Sequence, residues 1–390
     1  MYVDSKPNPK AQHLSDEHAA IVEATLPAVG ENIETIAKTF YGKMFGAHPE
    51  LLRDTFNRGN QKQGAQQKAL AASVATFATQ LVDPNAPDPV MMLDRIAHKH
   101  VSLGITADQY KIVYENLMAA IAEVLGDAVT EEVAEAWSAV YWLMADVLIK
   151  HEEILYASDG VEPGDVFRDV TVVDKQELPG GVTTYTLEGD LTKPLPGQYT
   201  SVGVRLADGA RQLRQYSIIK GAAGRYRIAV QNDGEVSTHL RENVNVGDTI
   251  QATLAAGDLV LRDGESPVVL ISSGIGSTPM VGMLAYMVRT GAERKVTYLH
   301  ADESEETWAQ QVDAKALVRE LGGVTAKAHF RKEGALIDVS EYDVAGADVY
   351  LCGGNAFLQA LRADLAALPA EKAPADVHYE LFNPNDWLVN

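Results

Sequence analysis

The hydrophobic period of this chain changes twice, and that change limits the possible folds more than any single motif. From about Asp16 to Tyr156 apolar residues recur three and four apart, the spacing of helices that bury one face. The run Ala157-Ser158-Asp159-Gly160-Val161-Glu162-Pro163-Gly164 breaks the pattern and reads as a linker. From Asp165 to about Leu261 the segments are short, rich in Val, Thr and Tyr, and cut by Gly and Pro, which predicts an antiparallel sheet closed into a small barrel. Beyond Arg262-Asp263-Gly264-Glu265-Ser266-Pro267, strand and helix alternate. The runs Val268–Ser272, Val296–His300, Val324–Phe330 and Val349–Cys352 look like buried parallel strands. A chain of 390 residues is too long for one core, so three domains are expected: an all-α domain at 1–157, an antiparallel β-barrel at 158–264 and an α/β parallel-sheet domain at 265–390.

Composition narrows the partners. The formal net charge is -21, which repels nucleic-acid phosphates and anionic lipid, so neither nucleic acid nor a stable membrane association is expected. Met1 to Gln12 is polar and lacks the apolar core of a signal peptide, and no apolar run approaches the ~20 residues of a membrane helix. The one cysteine, Cys352, leaves no internal disulfide and no cysteine-built metal site. A cytoplasmic monomer is the expectation.

The helical part carries polar residues on apolar stripes. Leu93, Ile96, Ala97 and His100 share one face, while His98 falls off it and is expected to face solvent. Position alone leaves His100 open between a backbone-bonded core histidine and a metal ligand. Tyr41 lies on the stripe Ile33–Phe45, and Gln66 heads the stripe of Leu70, Val74 and Phe77. Tyr110 begins the stripe of Val113, Leu117 and Ile121. Glu152 lies on that of Tyr141, Ala145, Leu148 and Leu155. A buried carboxylate needs a partner; one at a helix end can also reach water.

In the β part, Pro196-Gly197-Gln198-Tyr199 closes one segment and Arg214-Gln215-Tyr216-Ser217 forms another. Arginine offers a fork of donors suited to a pyrophosphate, Tyr216 an aromatic face for a flavin ring, and Ser217 a hydroxyl for its edge. Ser237 and Thr238 read as a helix start, either a phosphate-binding end or a bare cap. Gly274-Ile275-Gly276-Ser277-Thr278-Pro279 follows an apolar strand and opens a helix, a turn that lets backbone approach a dinucleotide closely. Asp302 and Glu303 end the next strand, where they would repel a 2′-phosphate unless they merely start a helix. A dinucleotide bound there is therefore expected to be NADH, with NADPH less favoured. Near the end, Cys352-Gly353-Gly354 closes a strand and Glu380-Leu381-Phe382-Asn383-Pro384 follows it, and Cys352 is open between a nicotinamide contact and a small buried hydrophobe.

Taken together these segments resemble the bacterial flavohaemoglobins, the nitric oxide dioxygenase family in which a globin is fused to a ferredoxin–NADP reductase-like module. The resemblance rests on Phe40-Tyr41-x-x-Met44-Phe45, Pro49-Glu50-Leu51, Phe56-Asn57, Asn60-Gln61, Ile96-Ala97-x-Lys99-His100, Gln109-Tyr110, Ala136-Trp137-x-x-x-Tyr141 and Glu152-x-x-Leu155-Tyr156, in order. It extends through the R-x-Y-S and G-x-G-x-T-P segments to the C-terminus. It implies haem b, FAD and NADH as cofactors, and dioxygen and nitric oxide as ligands converted to nitrate. In it His100 binds iron with Tyr110 and Glu152 behind it, and Tyr41 and Gln66 are distal donors. Phe56 and Leu70 wall the pocket, with Lys99 beside the ligand. It also implies a flavin site at Tyr199, Arg214 to Ser217, Ser237 and Thr238. The nicotinamide site is implied at Gly274 to Pro279, Cys352, Gly353, Glu380, Phe382, Asn383 and Pro384. Reduction of hydroperoxides, and sensing of oxygen or nitric oxide, are the alternative activities. Two positions depart from the family pattern: Gly354 stands for a proline and Asn383 for a glycine. The stretch from Phe330 to Leu336 is also shorter than the pattern.

Overall fold

A computed structural model describes residues 13–83, 85–86 and 90–382, with the side chains at 63, 65–68, 71, 72 and 91 outside the description. The helical periodicity becomes α1 (Asp16–Glu31), α2 (Ile33–Ala47), α3 (Pro49–Asp54), α4 (Arg58–Gln63), α5 (Ala65–Val82), α6 (Val90–Val101), α7 (Gln109–Leu125) and α8 (Glu131–Ser158). Local chemistry sets several ends. Ser15 caps α1 by accepting from the His18 N–H at 3.1 Å, and Asn57 caps α4 by accepting from Gly59 at 2.9 Å. The stripes converge on a core that includes Phe40, Met44, Phe77, Leu93, Leu117 and Trp137. Trp137 is almost fully buried, and its indole N–H donates to Thr25 at 2.9 Å, so the largest core side chain leaves no polar atom stranded.

The β part is a closed barrel, as expected: β1 (Phe167–Leu178), β2 (Val182–Gly189), β3 (Tyr199–Arg205), β4 (Arg211–Ala222), β5 (Arg225–Gln231) and β6 (Thr249–Thr253), joined in the order β1-β2-β5-β4-β3-β6. Closure removes the open edges of a small antiparallel sheet. Helix α9 (Glu235–Asn243) lies between β5 and β6 in the chain. The last part is a parallel sheet of β7 (Val268–Ser273), β8 (Val296–Asp302), β9 (Thr325–Phe330), β10 (Asp348–Cys352) and β11 (Asp376–Glu380), ordered β11-β10-β7-β8-β9. Helices α10 (Ser277–Thr290), α11 (Gln311–Leu321) and α12 (Asn355–Ala366) are interleaved with its strands. The chain leaves β7 for β8 on one side and returns to β10 on the other, so β7 and β10 flank a topological switch point, where α/β sheets bind ligands.

By compactness the chain forms two units. Among the described residues, one holds those up to Phe167 together with Arg205–Leu213; the other holds Arg168–Val204 and 214–382. Within the first unit, the Gln212 amide donates to the carbonyl of Arg53 at 3.0 Å, and Arg58 pairs with Asp208 at 2.6 Å.

One expectation fails here. His98 does not face solvent: it is 6% exposed. Helix α8 packs along the flank of α6, so α6 is covered over a wider arc than its apolar stripe.

Candidate functional site

The polar stripe residues of the helical unit meet. Helix α6 presents His100, α7 presents Tyr110 from its first turn, and α8 presents Glu152. The His100 Nδ1–H donates to Glu152 Oε1 at 2.7 Å, and the Tyr110 hydroxyl donates to the same oxygen at 2.5 Å. The Tyr110 oxygen stands 3.0 Å from His100 Nδ1. Glu152 is only 3% exposed, so this buried carboxylate is held by two donors rather than reaching water. Burial, reinforced by the Glu152 charge, pushes the Tyr110 hydroxyl far above the ordinary tyrosine range, so it stays a donor. A further bond, from the Tyr141 hydroxyl to the Tyr110 carbonyl at 2.6 Å, ties α7 to α8. Every contact of the His100 ring nitrogens is at Nδ1, which leaves Nε2 with its lone pair among the described residues. That is the donor a haem iron takes from an imidazole, and the carboxylate behind fixes the tautomer that offers it.

Across the same core, Tyr41 on α2 sits among aromatic rings: Phe40 at 4.7 Å, Phe45 at 5.5 Å and Phe56 at 6.0 Å between centroids. Burial raises the Tyr41 hydroxyl well above its usual range, partly offset by a hydrogen bond from the Gln61 side chain. Gln61 is a partner of Tyr41 that periodicity missed, because the six residues of α4 are too few to show a face. Leu70 packs on this core. The Gln66 side chain lies outside the described residues. Lys99 is half-buried, with its carbonyl accepting from the Ser102 hydroxyl at 2.8 Å.

In the second unit, Gly197 adopts φ +107°, a left-handed conformation that turns the Pro196–Tyr199 segment. Arg214 and Tyr216 stand on β4, and the Arg214 guanidinium pairs with Glu235 at 3.3 Å, at the first residue of α9. A guanidinium beside a helix N-terminus is a donor set that fits a pyrophosphate. Gln215 donates to the Ser201 hydroxyl at 2.8 Å, and Ser217 and Tyr199 are buried. Burial pushes the Tyr216 hydroxyl upward. The helix near Ser237 begins earlier than the sequence pattern suggests. Gly234 is the cap and Ser237 is the third helical residue, its hydroxyl accepting from the N–H groups of Asp233 and Gly234 at 3.0 and 2.9 Å. Thr238 donates to Asn232 at 3.0 Å.

The turn Gly274–Gly276 lies at the switch point, between the end of β7 and the start of α10. A Cβ on Gly276 would stand 2.5 Å from the Cys352 carbonyl oxygen and 2.8 Å from the Gly353 nitrogen, so only glycine allows the turn to lie against β10. Ser277 donates to Gln310, and Thr278 to the Ile275 carbonyl at 2.8 Å. Pro279 occupies the first turn of α10. Cys352 is fully buried in the apolar core, with its thiol pushed up by that burial and by the Glu380 charge. Glu380, its register partner on β11, is 5% exposed, whereas Phe382 is 42% exposed. Gly354 caps α12 at φ -67°, the value a proline ring would impose, so the departure from the family pattern preserves the backbone. Asn383 and Pro384 lie outside the described residues. At the end of β8, Asp302 accepts from Thr307 at 2.5 Å and Glu303 accepts from Arg331 Nε at 2.7 Å. The short connection after Phe330 is a single helical turn, Arg331–Glu333.

The globin family profile matches residues 38–148. A flavohemoprotein of Deinococcus radiodurans is 40% identical over 375 residues, covering 92% of this chain and 89% of the relative. The chain belongs to the flavohemoprotein family. Another flavohemoprotein, from Bacillus subtilis, is 34% identical, covering 95% of this chain and 98% of the relative. Among solved structures, the flavohemoglobin from Malassezia yamatoensis with bound FAD and heme superimposes with a TM-score of 0.87. It is 33% identical and covers 95% of this chain and 100% of its own. The FAD/NAD-binding domain of nitric oxide dioxygenase from Vibrio cholerae gives 0.52 at 32% identity, covering 56% of this chain and 99% of that domain. The flavohemoprotein family thus accounts for the globin, barrel and parallel-sheet parts together. Among the described residues no helix is long and apolar enough to cross a membrane.

Proposed function

We propose that this flavohemoprotein is an NADH-dependent nitric oxide dioxygenase that binds haem, FAD and NADH and converts nitric oxide and dioxygen to nitrate. When bound, FAD accepts the electron pair of a hydride and releases single electrons, and haem iron supplies a one-electron, gas-binding centre. The observation that carries the reading is the His100–Glu152–Tyr110 cluster, which engages Nδ1 and leaves Nε2 for the metal. The likeness to the FAD/NAD-binding domain of the Vibrio cholerae nitric oxide dioxygenase supports nitric oxide as the substrate.

The residues divide the work. Glu152 takes the Nδ1 proton as a hydrogen bond, makes the imidazole more basic and locks its orientation. Tyr110 shares that carboxylate and holds the ring from α7. Tyr41 keeps its proton because it is buried, and so can donate to negative charge that develops on the opposite side of the pocket. Phe56 and Leu70 exclude water there. Arg214, Tyr216 and Ser217 would hold the flavin with Tyr199, Gln215, Ser237 and Thr238. The Gly274–Pro279 turn would hold the dinucleotide, with Cys352, Gly353, Glu380 and the segment Phe382–Pro384 toward the nicotinamide. Asp302 and Glu303 would disfavour a 2′-phosphate.

The test is turnover of the purified holoprotein with nitric oxide, dioxygen and either NADH or NADPH, with nitrate quantified. One nitrate per nitric oxide consumed is expected, with a larger kcat/KM for NADH. NADH oxidation without nitrate would overturn the assignment.

A further inference from the structure

The buried position of His98 brings together three ligand-type side chains that the reaction above does not use. Asp94 lies one turn before His98 on α6, and His151 faces both from α8. Asp94 Oδ1 is 2.8 Å from His151 Nε2 and 3.6 Å from His98 Nε2. The two imidazole rings cross at 79° with centroids 6.2 Å apart. One ligand atom from each residue falls within 4.8 Å of the others. Asp94, His98 and His151 are 7%, 6% and 4% exposed. The Nδ1 atom of His151 has no partner among the described residues, so the only polar engagement of this buried ring is toward the cluster.

Burying a carboxylate and two imidazoles in one place is costly unless their lone pairs are used. We propose that Asp94, His98 and His151 form a divalent transition-metal site, best suited to Zn2+, distinct from the histidine assigned to haem. Two imidazole nitrogens and one carboxylate oxygen are a common three-ligand set for zinc, leaving the fourth position to water. Magnesium and calcium prefer all-oxygen shells, and without a thiolate the set does not select copper(I). Zinc bonds of about 2.0–2.1 Å in a tetrahedron place donor atoms about 3.4 Å apart. The two Asp94–imidazole separations straddle that spacing, so the cluster would close on an ion by small side-chain movements. His100 and Glu152 lie two residues and one residue further along the same two helices, so the ion would cross-link the elements that carry the proximal pair.

The experiment uses the full-length holoprotein, stripped of loose metal with EDTA and then equilibrated with zinc sulfate. After desalting, zinc is counted by mass spectrometry against haem iron. Wild type should retain one zinc per chain, and zinc should raise the midpoint of haem release on heating. His151→Gln and His98→Gln should each weaken zinc binding at least tenfold while keeping the Soret band. The exposed-site control His48→Gln should bind zinc as wild type does. No retained zinc in wild type, or equal retention in both cluster variants, would overturn the site. Neither result bears on nitrate formation, so the two readings fail separately.

Discussion

The helical unit and the parallel-sheet unit solve the problem of placing a cofactor in opposite ways. In the first, the chemistry lies in side chains: an imidazole, a carboxylate and a phenol from three helices, meeting within 3.0 Å. In the second, it lies in missing side chains, with Gly276 pressed against the backbone of Cys352 and Gly353 at the end of β10. A buried polar triad fails when one member is deleted, because the others are stranded. A glycine turn fails when one atom is added, because backbone must move. Function in the first unit is therefore sensitive to loss, and in the second to gain.

The largest expected effects test that contrast directly. His100→Ala should abolish haem retention while flavin content and reduction of the flavin by NADH stay within about twofold of wild type. Gly276→Val should do the reverse. Its branched side chain starts with a Cβ 2.5–2.8 Å from three backbone atoms of β10 and its turn, so NADH-dependent flavin reduction should fall at least 100-fold with a normal Soret band. Absorbance spectra and stopped-flow flavin reduction check both. If His100→Ala also stopped flavin reduction, or Gly276→Val lost haem, the two devices would not be independent.

A subtler loss should follow from Glu152→Gln. The carboxamide keeps the shape but cannot accept charge-assisted bonds from both His100 and Tyr110, and an imperfectly satisfied buried group costs about 1–3 kcal/mol. Haem should remain, with a weaker push of the ligand onto iron. The expected readout is a lower iron–histidine stretching frequency in the Raman spectrum of the reduced protein, with haem loss several-fold faster. An unchanged frequency would show that the carboxylate does not tune the ligand.

The same contrast explains what the sequence made legible. His100, Tyr110 and Glu152 lie on helices where a 3.6-residue period marks the inward face, but that they meet was implied only by the family resemblance, because a stripe does not say which residues of other helices it faces. The glycine turn was legible because it follows the four-residue apolar run Val268–Ile271. Features set by neighbours rather than by their own segment were hidden. His98 is off its stripe, yet buried, because α8 covers the flank of α6. His151 sits beside Glu152 on α8 and gives no signal of its own. Strand β11, Asp376–Glu380, alternates charged and apolar residues and looks like a surface segment until β10 pairs with it. Gln61 meets Tyr41 from a helix too short to have a readable period.

The smallest effect separates two carboxylates near the end of α8. Glu152 is buried with two donors; Asp159, the residue capping that helix, is partly buried, and burial alone raises its carboxyl to about 6. A folded pKa above the unfolded value near 3.9 means that the folded state holds the proton more tightly. Its effect on stability is therefore absent at pH values below both pKa values. The penalty grows as pH rises through the window from about 4 to about 6, and is constant above it. Because the side chain is partly solvated, the penalty at pH 7 is about 1 kcal/mol rather than the full arithmetic value. Asp159→Asn removes the charge and should stabilise the helical unit by about that amount at pH 7.5, read as a higher midpoint for haem release in urea. The gain should shrink steadily below pH 6 and vanish near pH 4. A gain of the same size at pH 4 and pH 7.5 would mean that the substituted amide simply packs better, and that desolvated charge is not what distinguishes Asp159 from Glu152.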